Sequence, residues 1–140
     1  NGLADQHSIT IVGENIDTDK TTLPNTIADS ETLDGTIWLK EGCIITKATV
    51  TIGGKQKDYD FVLNNQYIDI NCANTTGDVV ITLETKNVGY CMINLSGNNI
   101  DSERTTIPKN IPIGCDLSGY IYVANNCKIT GATVFADGVV

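Results

Sequence analysis

Three groups of side chains in this sequence have types and spacings that could do chemistry. The first is Asn15, Asp17 and Asp19, echoed by Asn99, Asp101 and Glu103. Oxygen ligands at i, i+2 and i+4 are how a calcium loop begins. The rest of such a loop is wrong here. Its sixth position is Lys20 or Arg104 where Gly is needed, and its twelfth is Thr26 or Asn110 where Glu is needed. A cation beside Lys20 or Arg104 would be repelled, so the six residues read instead as Asx-rich turns with a surface ion pair.

The second group is the five cysteines, at 43, 72, 91, 115 and 127. They form no Cys-x-x-Cys pair, and His7 is the sole imidazole, which argues against zinc. Cys43 and Cys127 occupy equivalent places in the repeat described below and read as small buried hydrophobes. A Cys43–Cys72 disulfide is the alternative. The odd count leaves at least one thiol unpaired or open to another chain. His7 sits in an expected N-terminal arm, and its repeat equivalent is Cys91. No third group is in place to orient a Cys–His nucleophile.

The third group is aromatic: Trp38, Tyr59, Tyr67, Tyr120 and Tyr122, any of which could stack on a sugar. Trp38 and Tyr122 hold matching strand positions, so they are assigned to cores, with Tyr120 pointing the same way as Tyr122. The sequons Asn74-Thr75-Thr76 and Asn94-Leu95-Ser96 are read as coincidences of an Asn- and Thr-rich composition. No catalytic residue, metal or cofactor is expected.

The elements that position these residues come twice. Gly13–Pro24 reads GENIDTDKTTLP, and Gly97–Pro108 reads GNNIDSERTTIP, 84 residues on without a gap. Seven of the twelve pairs are identical: Gly13/Gly97, Asn15/Asn99, Ile16/Ile100, Asp17/Asp101, Thr21/Thr105, Thr22/Thr106 and Pro24/Pro108. The same offset then matches Leu33, Gly35, Ile37, Cys43, Ile45, Thr46, Ala48, Thr49 and Val50 with residues from Leu117 to Val134. A match of this kind is one structural unit used twice. It divides the chain into an arm (residues 1–7), a first repeat (8–89) and a second repeat (90–140). The counterpart of Lys57–Gly89 is missing from the second, which is therefore expected to be truncated or completed by another segment.

Composition indicates an all-β chain. It holds 18 Ile, 18 Thr and 10 Val, stiff side chains that suit a pleated surface. Thirteen Gly and many Asn and Asp supply turns. Strands are predicted over Ser8–Val12, Leu33–Leu39, Cys43–Ile52, Lys57–Leu63, Tyr67–Ile70 and Asp78–Leu83, with Asn15–Pro24 and Asn25–Glu31 as turn and loop. In the second copy strands are expected over Cys91–Leu95, Gly119–Val123 and Cys127–Ala136. Short strands with turns every 8–12 residues are the pattern of a sandwich. The expected core of the first unit is Ile9, Ile11, Ile37, Trp38 or Leu39, Val50, Ile52, Ile68, Ile70, Val80 and Cys43. Tyr122 and Val134 are expected in the second.

The net charge is −8, and no basic stripe is present, which disfavours nucleic acid and anionic membranes as partners. No apolar run reaches the roughly 18–20 residues that span a bilayer.

Leu39–Thr85 contains a Gly turn, then ATVTIGG (Ala48–Gly54), a Tyr-bearing strand, YIDI (Tyr67–Ile70) and TGDVVIT (Thr76–Thr82). This order resembles the small Ig-like β-sandwich repeats of bacteriophage tail, baseplate, fibre and head-decoration proteins, which also occur in bacterial surface proteins. The resemblance is strong over about half of the first unit. In the second it covers only Gly119–Val134, where Asp137-Gly138 replaces Gly53-Gly54. It implies tandem Ig-like antiparallel sandwiches with no catalytic residues, in a structural protein on a virion surface or outside the cell. The implied partners are other virion subunits, further copies of the chain, or a host-surface glycan or protein. Two other functions are weighed: a subunit of a bacterial adhesin or extracellular filament completed by strand addition between chains, and a carbohydrate-binding module.

Overall fold

A computed structural model of the chain describes residues 5–57, 61–63 and 65–136. It is all-β and falls into two compact units. The first comprises Asn1–Cys91 with Asn110–Cys115, the second Met92–Lys109 with Asp116–Val140.

The first unit contains β1 (Gln6–Val12), β2 (Ile16–Asp17), β3 (Thr26–Ala28), β4 (Leu33–Leu39), β5 (Cys43–Ile52), β6 (Lys55–Lys57), β7 (Phe61–Leu63), β8 (Tyr67–Cys72) and β9 (Val79–Asn87). One sheet has the order β3-β1-β9-β5-β6, and the other β2-β4-β8-β7. All neighbours run antiparallel except β1 and β9, where Ile9–Val12 lie parallel to Val79–Thr82.

The two sheets share one core. The second sheet supplies Leu33, Ile37 and Leu39 from β4, and Ile68, Ile70 and Cys72 from β8. The first supplies Ile9, Ile27, Cys43, Ile45, Val50, Val79, Ile81 and Leu83. Every second residue of a strand faces the same way, and β8 shows it plainly: Ile68, Ile70 and Cys72 are buried, while Asp69 and Asn71 are exposed. Strand β5 breaks the rule once. Cys43 and Ile45 face inward at odd positions, whereas Val50 does so at an even one, with Ala48 and Ile52 packed beside it. The register against β9 slips between Ile45 and Lys47. A bulge of this kind adds one residue and flips the inward parity, so a single strand keeps both halves of its apolar pattern on the core.

Several expectations need correction. Trp38 is not a core anchor. Its neighbours Ile37 and Leu39 are buried, so alternation turns Trp38 to the outer face of β4. Val80 also faces away, because Val79, Ile81 and Leu83 take the inward positions of β9. Ile11 and Ile52 pack at the core's margin rather than within it. The segment Asn25–Glu31 is not wholly loop, since β3 pairs there with Gln6–Ser8. His7 is not in a loose arm but in β1. The predicted strand over Lys57–Leu63 is represented by β6 and β7, and its middle, with Tyr59, lies outside the described residues.

The Cys43–Cys72 disulfide does not form. Cys72 pairs with Leu33 at the start of β4, whereas Cys43 follows the end of β4 across a short turn. The two thiols are thus separated by the length of β4, roughly 20 Å at about 3.3 Å per residue. A disulfide needs Cα atoms within about 7 Å.

Past the first repeat come β10 (Tyr90–Met92), β11 (Ile100–Asp101), β12 (Asn110–Pro112) and β13 (Tyr122–Val123). β11 pairs with β13 as β2 pairs with β4: Ile100 faces Val123 and Asp101 faces Tyr122, as Ile16 faces Leu39 and Asp17 faces Trp38. β10 pairs with β12, repeating β1 with β3. Cys127–Ala136, expected as a strand, is not one, and Tyr120 and Ile121 are likewise outside β13. Tyr122 and Val134, expected in a core, are 40% and 75% exposed, and Tyr120 is 69% exposed. The reason is pairing. In the first unit β4 and β5 are held by β8 and β9, and those strands have no 84-residue counterpart in the 140 residues.

Candidate functional site

The repeated loop is built the same way both times. Asn15 and Asn99 adopt left-handed φ values of 64° and 62°, a conformation Asn tolerates better than other non-glycine residues. The chain then turns back, and the Asp17 carboxylate accepts the backbone N–H groups of Asp19 (3.1 Å) and Lys20 (3.3 Å). Asp101 does the same for Glu103 (3.2 Å) and Arg104 (3.3 Å). These are Asx turns, and they commit the central carboxylate of each calcium candidate to the protein's own backbone. Among the described residues no three His, Cys, Asp or Glu side chains are grouped as metal ligands.

Both threonines of the TT pair then clamp the loop to the next strand. Thr21 Oγ donates to Asp17 O (2.8 Å) and accepts from Trp38 N–H (3.1 Å). Thr105 repeats this with Asp101 O (2.8 Å) and Tyr122 N–H (3.1 Å). Thr22 exchanges two bonds with Thr36: its N–H donates to Thr36 O (2.9 Å), and its Oγ accepts Thr36 N–H (2.8 Å). Thr106 and Tyr120 do likewise at 2.8 and 2.7 Å. Gly35 is required by this close approach. A Cβ there would come within 2.9–3.1 Å of Leu23, and one at Gly119 within 3.1 Å of Ile107.

The cation at the sixth position has a use in both copies. Lys20 Nζ lies 4.1 Å from the centre of the Trp38 ring, and the Arg104 guanidinium 4.4 Å from that of Tyr122. A cation over a π face is worth about 0.5–1 kcal/mol at an exposed site. Lys20 with Trp38, and Arg104 with Tyr122, are therefore one device written twice. The co-variation of the two positions across the repeat could have revealed it. Among the described residues the expected ion pair appears as a long Arg104–Asp101 contact of 3.9 Å.

Trp38 also stacks on Tyr67, with ring centres 4.7 Å apart. The same outer face of β4 and β8 carries Asp34, Thr36, Asp69 and Asn71. Thr36 Oγ is bonded to Asp69 (2.5 Å), and Asn71 Nδ2 donates to Asp34 (3.4 Å). The aromatic pair and the polar row thus mostly engage one another.

His7, read as bland, anchors β1 on both sides. Its Nε2 lies 2.7 Å from Asp29 Oδ1 beyond β3, and its Nδ1 3.9 Å from Asp78 just before β9. Asp78 also accepts Ser8 N–H at 2.9 Å. The hydrogen bond from His7 holds the Asp29 carboxyl below its ordinary range, with Ser30 adding to the effect. Burial pushes the Cys43 thiol up, partly offset by Lys40.

One groove, of about 470 Å³, runs beside β1 and β2, lined by Ile11, Ile16, Leu23, Asn15, Asn25 and Lys40 among others. Among the described residues that line it there is no Cys, His, Asp or Glu. The second unit offers a surface of another kind. Leu117, Ile121, Ile129 and Val134 are 43–75% exposed, and each is the repeat equivalent of a buried residue: Leu33, Ile37, Ile45 and Val50. Comparison with family models, with characterised proteins and with solved structures finds no match to this chain.

Proposed function

We propose that the chain is a non-enzymatic structural module built of tandem Ig-like sandwiches, part of a bacteriophage virion surface, where it spaces or decorates the particle and contacts neighbouring subunits. The observation that carries this reading is the loop clamp made twice with matching geometry. Duplicating a rigid unit with its hydrogen bonds intact suits a protein whose job is length and packing. The strand order supports it. The two motifs that resemble phage repeats, ATVTIGG and TGDVVIT, lie side by side as β5 and β9, with Val50 opposite Ile81. The parallel entry of β1 against β9 also suits an Ig-like sandwich. Fold alone does not determine function, so the test is one of location. Particles are purified, cross-linked at lysine, and digested for mass spectrometry. Cross-links from Lys40, Lys55 or Lys86 to another particle protein are expected. Recovery of the chain wholly in the particle-free fraction would overturn the proposal.

A second reading has its own observation. The exposed apolar residues of the second unit favour an adhesin or filament subunit, since exposed apolar patches mark protein–protein contacts. Concentration-dependent polymerisation of the purified chain would favour it over the first.

A further inference from the structure

We infer that the groove beside β1 and β2 is a binding site for a small aliphatic carboxylate, an apolar body carrying one negative charge. The inference goes beyond the structural role proposed above and does not rest on it.

The groove exists because the chain leaves one edge of β1 and later returns to it. Strand β3 pairs with β1 only over Gln6–Ser8, and Ile16 and Asp17 are drawn off to pair with β4 instead. The space of about 470 Å³ beside this loop is in the range of small-molecule sites, about 300–1,000 Å³. Its floor is aliphatic. Ile11, Ile16 and Leu23 are partly buried and pack against the core, and their remaining surface lines the groove. Among the described residues no aromatic ring lines it, so an aliphatic body suits it better than the face of a sugar. The rim is polar and carries one charge. Thr18, Asn25 and Lys40 stand on it, and among the described residues their side chains enter no hydrogen bond or ion pair. With no Asp or Glu in the lining, Lys40 is a cation without a counter-ion in a chain of net charge −8. A few placed polar groups over an apolar wall are what orient a small ligand.

The second copy repeats the arrangement with the charge moved. Ile9 N–H donates to Asn25 O (2.9 Å) and Lys40 N–H to Asn15 O (2.8 Å), which fixes residues 25 and 40 on the first loop. Ile93 N–H donates to Lys109 O (2.9 Å) and Ala124 N–H to Asn99 O (2.7 Å), which fixes their equivalents in the same way. Leu95, Ile100 and Ile107 stand for Ile11, Ile16 and Leu23, so the floor residues stay aliphatic. Lys40 becomes Ala124, yet Asn25 becomes Lys109. One lysine is kept, at either of two positions that line a single groove in the first copy. Exchange of the cation between two places on one rim points to a requirement for charge there, and hence to an anionic ligand.

The probe is isocaproate, titrated into the isotope-labelled 140-residue chain and followed by amide chemical shifts, with isohexanol as its uncharged counterpart. The expected result is saturable shifts at Ile11, Ile16, Asn25 and Lys40, with the alcohol binding about tenfold more weakly or worse, as loss of a charge-assisted hydrogen bond implies. Lys40→Ala, at an exposed position, should weaken isocaproate about tenfold at the same amides while the rest of the spectrum reports an intact fold. Adding Asn25→Lys to that variant writes the second copy's rim into the first and should restore the affinity. Lys47→Ala, at an exposed position of β5 outside the groove, should leave it unchanged. No saturable shift at these amides, equal affinity for acid and alcohol, or a double variant that binds no better than Lys40→Ala overturns the proposal.

Discussion

Ile37 and Trp38 are neighbours on β4, and the structure puts them on opposite faces. Replacing each by alanine turns that assignment into numbers. Ile37 is fully buried, packed among the core residues of both sheets. Its removal leaves a cavity that close-packed neighbours cannot fill, so Ile37→Ala should cost about 3–4 kcal/mol. Trp38 is much larger but only half-buried. Trp38→Ala forfeits the Tyr67 stack, about 0.5–1.5 kcal/mol, and the Lys20 contact, about 0.5–1 kcal/mol. Its cost should be near 2 kcal/mol. A buried tryptophan would cost about 3–5 kcal/mol and reverse the order. Urea titration followed by far-ultraviolet circular dichroism reads both variants, which matters because Trp38 is the sole tryptophan and its fluorescence vanishes with it. A larger loss for Trp38→Ala than for Ile37→Ala refutes the face assignment of β4.

Asn15→Gly should cost about 1 kcal/mol, for the hydrogen bond that Asn15 Nδ2 donates to Thr85 Oγ (3.1 Å), and Asn15→Ala about 1 kcal/mol more, since φ is 64° and alanine is strained there; equal urea midpoints for the two variants would contradict this. Asp29 titrates below its ordinary value of 3.8 in the folded state. Its contribution is therefore fully present above that pH and is lost as pH falls through the lowered folded value. His7→Gln should flatten the loss of stability below about pH 4, read by unfolding at several acid pH values, and an unchanged slope would count against the His7–Asp29 bond. A thiol reagent at neutral pH should label exposed Cys91 at once and Cys43 only on unfolding, because burial both shields that thiol and raises its pKa; equal labelling rates would argue against the buried start of β5.

The sequence displayed the strands more readily than it displayed their faces. β4 and β5 match their predicted ends because Gly and charged residues punctuate them and because alternation is strict within each half. The inward set of β5 was harder, since the bulge after Ile45 changes parity and no residue type marks it. Matching strand positions of Trp38 and Tyr122 show that the two are equivalent, not that they are buried. The correct signal was alternation against Ile37 and Leu39, together with the paired change of Lys20 to Arg104 and Trp38 to Tyr122. In the same way, Val79 rather than Val80 follows from counting back from Ile81 and Leu83. His7 could not be placed without the β1–β9 pairing, which joins residues 70 apart. The second copy shows the limit of local pattern. Cys127–Ala136 carries a strand's composition, yet a strand exists only by virtue of its neighbour, and the neighbour it needs is not within these residues. A repeat alignment states which residues are equivalent but not which have partners.

Amide hydrogen exchange of the intact chain, compared position by position across the 84-residue offset, tests the central claim most directly. The loop clamps should be protected in both copies, at Thr21 and Thr22 and equally at Thr105 and Thr106. Ile45 and Val50 should be among the slowest amides of the first unit, while Ile129 and Val134 exchange close to the rate of an open chain. Slow exchange at Ile129 and Val134 in the dilute chain would contradict the account of a strand-paired first unit and an unpaired segment around Ile129 and Val134 in the second.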